Sequence, residues 1–198
     1  MNKWSTNKIE KFIELAKAGI LHGSYGINET NYLRNALKKA HGIKNGRVLV
    51  IGSEIPWVEA CVLEAGAKHV VTLEYGRIDC THPNVTTIIP MEYRDMFNNG
   101  TLGKFDSIVT FSSVEHSGLG RYGDSLNPWG DVEEIARAWC VCKEGGSLTI
   151  GVPFAKRDKI RFNADRRYGP IRWPYLTTNW RQKYREPGGI NRVHVFVK

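Results

Sequence analysis

The stretch that most constrains the fold is Arg47-Val48-Leu49-Val50-Ile51-Gly52-Ser53-Glu54-Ile55-Pro56-Trp57. A short, β-branched-rich apolar run bounded by Gly46 and Gly52 predicts a buried strand. Pro56 suits the first turn of a helix, where its missing N–H costs nothing. That helix is expected over about 56–65, with Val58, Cys61, Val62 and Ala65 facing inward and Gly66 ending it. A second strand, Val70-Val71-Thr72-Leu73-Glu74, follows at once. The unit is β-α-β, with a carboxylate closing its second strand. In open α/β sheets that corner takes adenosine-type ligands.

The same alternation continues. Val85–Ile89 and Lys104–Phe111 read as strands, residues 131–142 as a helix through Val132, Ile135, Ala136 and Trp139, and Ser147–Gly151 as a fifth strand. Such spacing implies a parallel sheet covered on both faces. The tail differs: Trp180–Tyr184 and Arg192–Val197 flank Glu186-Pro187-Gly188-Gly189, a strong turn signal, and predict a hairpin on the sheet edge. Ahead of the core, residues 5–19 and 29–41 predict amphipathic helices, separated by the Gly23–Gly26 loop. The expected organisation is one domain over 1–198, with a helical extension at 1–45 and an α/β core at 46–198.

Composition narrows the partners. No apolar run approaches the length of about 18 residues that spans a bilayer, and the N-terminus lacks the apolar core of a secretory signal. A cytoplasmic location is therefore expected. Cys61, Cys80, Cys140 and Cys142 show neither metal-ligand nor disulfide spacing, and Cys61 and Cys140 are expected to be small core residues. The formal charge of +8 and pI near 9.4 favour anionic partners. Nucleic acid, anionic glycan or lipid headgroups, and phosphorylated metabolites all stay open.

The motifs carry a family resemblance. Val48–Gly52, Glu74, Phe105–Val109 with Ser113–His116, and Gly145–Leu148 resemble successive motifs of the class I methyltransferases, which use S-adenosylmethionine (SAM). Residues 51–57, 113–124 and 168–172 resemble, more narrowly, a branch catalogued as domain of unknown function 268. The resemblance implies a Rossmann-like, seven-stranded, mostly parallel sheet with a C-terminal antiparallel hairpin. It also implies a SAM site, with adenine contacts at Met91 and Glu92.

The residues themselves set out the chemistry. Gly52 lets a ligand approach the backbone, with Ser53 beside it. Glu74, 22 residues later, stands near the spacing at which an acid meets ribose hydroxyls; Tyr75 can pack beside the sugar. The usual further glycines are absent: position 54 is Glu54 and position 56 is Pro56. A carboxylate there disfavours a pyrophosphate and so disfavours NAD. Glu54 can instead face the amino group of SAM. Ser112 ends the fourth strand among the expected cofactor contacts.

In the loop that follows, His116 is the candidate base, since its ordinary pKa lies nearest neutrality. Glu115 or Asp124 is expected to orient it, or to bind a divalent cation with it. Methyl transfer to a hydroxyl needs such a base. The Asn-Pro-Pro-aromatic signature of amino-methylating enzymes is absent, which turns the expected acceptor toward oxygen. Residues 156–185 interleave Lys and Arg with aromatics, a pattern suited to anionic or sugar-bearing ligands. Arg121, Tyr122, Arg172 and Trp173 are the expected acceptor contacts. The expected activity is SAM-dependent O-methylation of a glycan or other polar, anionic acceptor. The alternatives are RNA methylation and a non-catalytic binding protein on the same fold.

Overall fold

The computed structural model describes residues 2–198. Seven strands form one sheet: β1 (Arg47–Ile51), β2 (His69–Leu73), β3 (Val85–Ile88), β4 (Phe105–Phe111), β5 (Cys142–Pro153), β6 (Arg181–Arg185) and β7 (Asn191–Val197). Their order is β6-β7-β5-β4-β1-β2-β3. β1 to β5 run parallel, and β7 lies antiparallel to both β5 and β6. This is the Rossmann-like sheet with a terminal hairpin.

Among the described residues six α-helices accompany the sheet: α1 (Thr6–Lys17), α2 (Ile27–Leu37), α3 (Trp57–Glu64), α4 (Pro90–Asn98), α5 (Gly130–Val141) and α6 (Arg172–Leu176). Alternate side chains of a strand point to opposite faces, and β1 sorts its residues accordingly. Val48 and Val50 pack with Ile9 and Ile13 of α1, Leu33 and Leu37 of α2, and Val58 and Val62 of α3. Leu49 and Ile51 pack on the other face with Tyr93 of α4, Ile135 and Ala138 of α5, and Leu176 of α6. Ser5 caps α1, accepting from Lys8 N at 3.2 Å. Two short pairs stand outside the sheet: Asn2–Trp4 beside Ile78–Cys80, and the hairpin of Lys159–Arg161 with Asp165–Arg167.

Several local expectations are corrected. Helix α4 was not foreseen; the chain turns into it at Pro90. Helix α5 buries Asp131, Ile135, Ala138 and Val141, so its inner face is rotated from the expected one, and Cys140 is exposed. Helix α2 ends at Leu37 rather than near residue 41, and α3 begins just after Pro56.

Candidate active site at the carboxyl ends of the strands

Strand order reverses between β1 and β4, since the chain leaves β1 toward β2 and returns on its other side. The carboxyl ends at such a switch point form a crevice. A cavity of about 1230 Å³ opens there. Its lining includes Gly52, Ser53 and Glu54 after β1, Glu74 and Tyr75 after β2, Met91 on α4, and Ser112, His116, Tyr122 and Asp124 after β4.

Gly52 holds φ +73°, and a Cβ there would overlap the side chain of Ser113. Its lack of a side chain is thus required by the neighbouring loop as well as by any ligand. Glu74 accepts from Ser53 N at 2.7 Å and from Tyr75 N at 2.7 Å, one bond to each carboxylate oxygen. Each oxygen keeps a lone pair for a further donor. Ser112 takes the left-handed conformation, φ 49°, uncommon for a residue with a Cβ. Its Oγ donates to Glu115 Oε1 at 2.7 Å.

Beneath the β1 loop lies a buried carboxyl the sequence did not single out. Glu59 is fully buried; Thr72 Oγ1 donates to its Oε1 at 2.8 Å, and Ser53 Oγ lies 2.9 Å from its Oε2. Ser53 Oγ is also 2.9 Å from Ile55 O. A hydroxyl has one hydrogen. A protonated Glu59 that donates to Ser53 Oγ, which donates onward to Ile55 O, satisfies every partner. Burial pushes this carboxyl up to about 7, in keeping with the proton it needs.

His116 is fixed from one side. Its Nδ1 meets Ala164 O, so this nitrogen carries the proton and Nε2 is left with the lone pair. Burial lowers its pKa, keeping the ring neutral near neutrality. Tyr122 packs edge-on against it, ring centroids 5.6 Å apart. Glu115 is buried, its Oε1 lies 3.8 Å from His116 Nε2, and burial pushes its carboxyl up to about 7. Asp124 turns to its own loop instead, accepting from Gly118 N at 2.7 Å, Gly120 N at 3.3 Å and Tyr122 N at 3.2 Å. Burial alone would raise Asp124, but these donors hold it below the ordinary range. Its bonds shape the loop, and the ring of His116 is oriented by Ala164.

Other expected contacts lie outside the cavity lining. Glu92 accepts from Ile89 N at 3.0 Å at the start of α4 and pairs with Arg77 at 2.9 Å. Arg172 grips the fully buried Asp131, Nε to Oδ2 at 2.8 Å and Nη2 to Oδ1 at 2.6 Å. Trp173 packs on Phe154 and His194, centroids 4.6 and 4.7 Å away. Arg121 lies over Tyr122 at 5.7 Å, at the rim. Arg172 is thus engaged by Asp131, and Trp173 by Phe154 and His194. Arg172 holds the 128–131 region, and Trp173 packs α6 against β7.

Sequence reasoning missed Tyr25, Trp57 and Phe111, aromatic walls of the cavity. Phe111 packs 5.0 Å from Trp57 and 5.8 Å from Tyr25. The loop at 23–26, between two predicted helices, was the available signal for Tyr25. Among the described residues, no group of three or more His, Cys, Asp or Glu is placed to hold a metal ion. Among the same residues, no helix is long and apolar enough to cross a membrane.

A family model described as "Caenorhabditis protein of unknown function, DUF268" matches residues 44–186, well over half of the chain. The chain belongs to the DUF268 family. No curated protein matches the sequence of this DUF268 member. Its fold has solved counterparts. An O-methyltransferase family protein from Burkholderia thailandensis superposes with TM-score 0.59 at 10% identity, over 96% of this chain and 58% of that one. The 1,6-didemethyltoxoflavin-N1-methyltransferase of the same organism, solved with S-adenosylhomocysteine, gives 0.58 at 15%, over 96% and 86%. A Streptococcus mutans structure described as a SAM-dependent methyltransferase gives 0.54 at 9%, over 86% of this chain. The DUF268 chain spans about half of that protein, 48% of its length. At these identities the likeness establishes the SAM-dependent methyltransferase fold.

The lining of the cavity fits SAM. Glu74 offers a carboxylate with open lone pairs that can accept from sugar hydroxyls, Tyr75 and Met91 offer apolar surface on the same wall, and Glu54 offers negative charge to a cationic ligand. The same Glu54 is ill-suited to a pyrophosphate.

Proposed function

We propose that this DUF268 protein is a SAM-dependent methyltransferase acting on an oxygen of a polar or anionic acceptor. The observation that carries the reading is Glu74, on the cavity wall beside Gly52 at the strand-order reversal. SAM supplies an electrophilic methyl group on a sulfonium centre. Glu74 accepts hydrogen bonds from the ribose hydroxyls, while Ser53 and Glu54 meet the amino-acid end. Tyr75 and Met91 flank the adenine.

His116 receives the acceptor's hydroxyl proton at Nε2. The ring is ready for this because Nδ1 already donates to Ala164 O and burial keeps it uncharged. Tyr122 and Asp124 form the wall past which the acceptor enters. A positioned base of this kind contributes roughly 10²- to 10⁴-fold in rate.

The test is transfer of a labelled methyl group from SAM into a cell extract, separated afterwards into lipid, glycan, small-molecule and RNA fractions. Label is expected in a hydroxyl-bearing, non-RNA fraction. His116→Ala is expected to lower transfer at least ~100-fold while SAM binding stays intact. Undiminished transfer by that variant, or label confined to RNA, contradicts the proposal.

A further inference from the structure

We propose that the surface beside the cavity mouth docks on an anionic lipid bilayer. Three segments build it: the loop after β4, the 159–167 hairpin and the region of α6. Each presents apolar side chains to solvent. Phe162 is 77% exposed, Ile171 71% and Leu126 67%, and Ile160, Trp129 and Tyr175 are more than half exposed. Apolar exposure on this scale marks an interaction surface when the residues lie together.

They do lie together. Arg166, fully buried at the hairpin, donates to Ser117 O, to Asn127 O at 3.2 Å and to Pro128 O at 3.4 Å. That ties the hairpin to the loop on both sides of Leu126. Trp129 and Tyr175 have ring centroids 6.3 Å apart, and the Arg172 guanidinium lies 5.4 Å over Trp129. Asp158, just before the hairpin, accepts from Gly169, Ile171 and Arg172 N–H groups at 2.8 to 3.0 Å. The bond from His116 to Ala164 O fastens this whole surface to the rim of the cavity.

The charge chooses the partner's sign. Residues 155–176 contain seven Lys or Arg and two Asp. Both acids are occupied: Asp158 by the three backbone N–H groups, and Asp165 by Arg161 and Arg167. Among the described residues Lys156, Arg157 and Lys159 make no ion pair. The positive charge is therefore left for a partner.

The apolar side chains choose its kind. Ile160, Ile171 and Leu126 have no π face to stack on a base, so a single-stranded nucleic acid would leave them unused. Aliphatic and aromatic tips among Lys and Arg match the boundary between headgroups and acyl chains. Docked this way, the protein turns its cavity mouth to the membrane surface, where an amphiphilic acceptor would be presented.

The test is co-sedimentation of the full chain with vesicles of phosphatidylcholine alone and with added phosphatidylserine, at two salt concentrations. Binding is expected to be at least ~10-fold tighter to the phosphatidylserine vesicles and to weaken with salt. Phe162→Asp combined with Ile171→Asp is expected to cut it at least ~10-fold, with an unchanged melting curve. Lys156→Glu with Lys159→Glu is expected to abolish the preference for phosphatidylserine. Equal binding to both vesicles, none to either, or full binding by the aspartate variant overturns the proposal. So does loss of affinity for a single-stranded RNA oligonucleotide by the same variant without loss for vesicles. S-adenosylhomocysteine titrated into the same preparations separates the two ideas, because docking does not require the cofactor site.

Discussion

Glu59 shows how one buried group sets the state of a loop it does not belong to. It joins Ser53 of the β1 loop to Thr72 of β2, and its fit there needs the proton. The folded protein holds that proton up to a pH of about 7, whereas the unfolded chain loses it near the ordinary value of 4.5. Between those limits the folded state binds more protons, so Glu59 makes stability fall as pH rises. The size is on the order of 2–3 kcal/mol. Glu59→Gln keeps the shape and a donor, and is expected to narrow the stability difference between pH 5 and pH 8 by about that amount. Denaturant unfolding at the two pH values measures it; an equal loss at both would show that Glu59 is ionised in the fold. Asp106, Asp124, Asp158 and Asp165 are held below their ordinary range, and their stability is lost only at more acid pH.

Among the elements, the joint between α5 and the C-terminal third turns on one side chain. Asp131, in the first turn of α5, is fully buried among Arg166, Arg172 and Tyr168, whose hydroxyl donates to it at 3.0 Å. Removing one partner of a buried ionic cluster leaves an uncompensated charge. Asp131→Ala is expected to cost roughly 3–5 kcal/mol, visible as a lowered Tm, with Arg166 the stranded charge. A loss below about 1 kcal/mol, the range of an exposed pair, would contradict this reading.

The sequence made the strands and the β-α-β unit legible because their apolar runs are short, β-branched and punctuated by glycine. It hid α4, where Tyr93 is the one buried residue and the apolar stripe is weak. Pro90 at its start, Glu92 in the first turn and Gly100 after it were nevertheless helix signals. It also hid the packing partners of Arg172 and Trp173. A basic aromatic run reads the same whether its cations face solvent or a buried aspartate.

At the scale of the whole molecule, a sheet order that reverses beside Gly52 creates the crevice, and the aromatic walls close it. The N-terminal segment contributes Tyr25 to those walls, so the helices before the first strand shape the cavity as well as packing on the sheet. Of the residues lining the cavity, Gly52 was legible from the strand-to-helix turn, Glu74 from its spacing, and His116 from its place in the loop after the fourth strand. Glu59 and Asp131 were not, since their meaning lies in what surrounds them after folding.

The most direct test is calorimetric titration of the protein with S-adenosylhomocysteine, for the wild type and for Glu74→Ala, with NAD as a control. Saturable binding that weakens at least ~10-fold in the variant, with no NAD binding, is the predicted result, because hydrogen bonds to a carboxylate are worth about 1.5–3 kcal/mol. Binding that is absent in the wild type, or unchanged by Glu74→Ala, contradicts the assignment of this crevice to SAM.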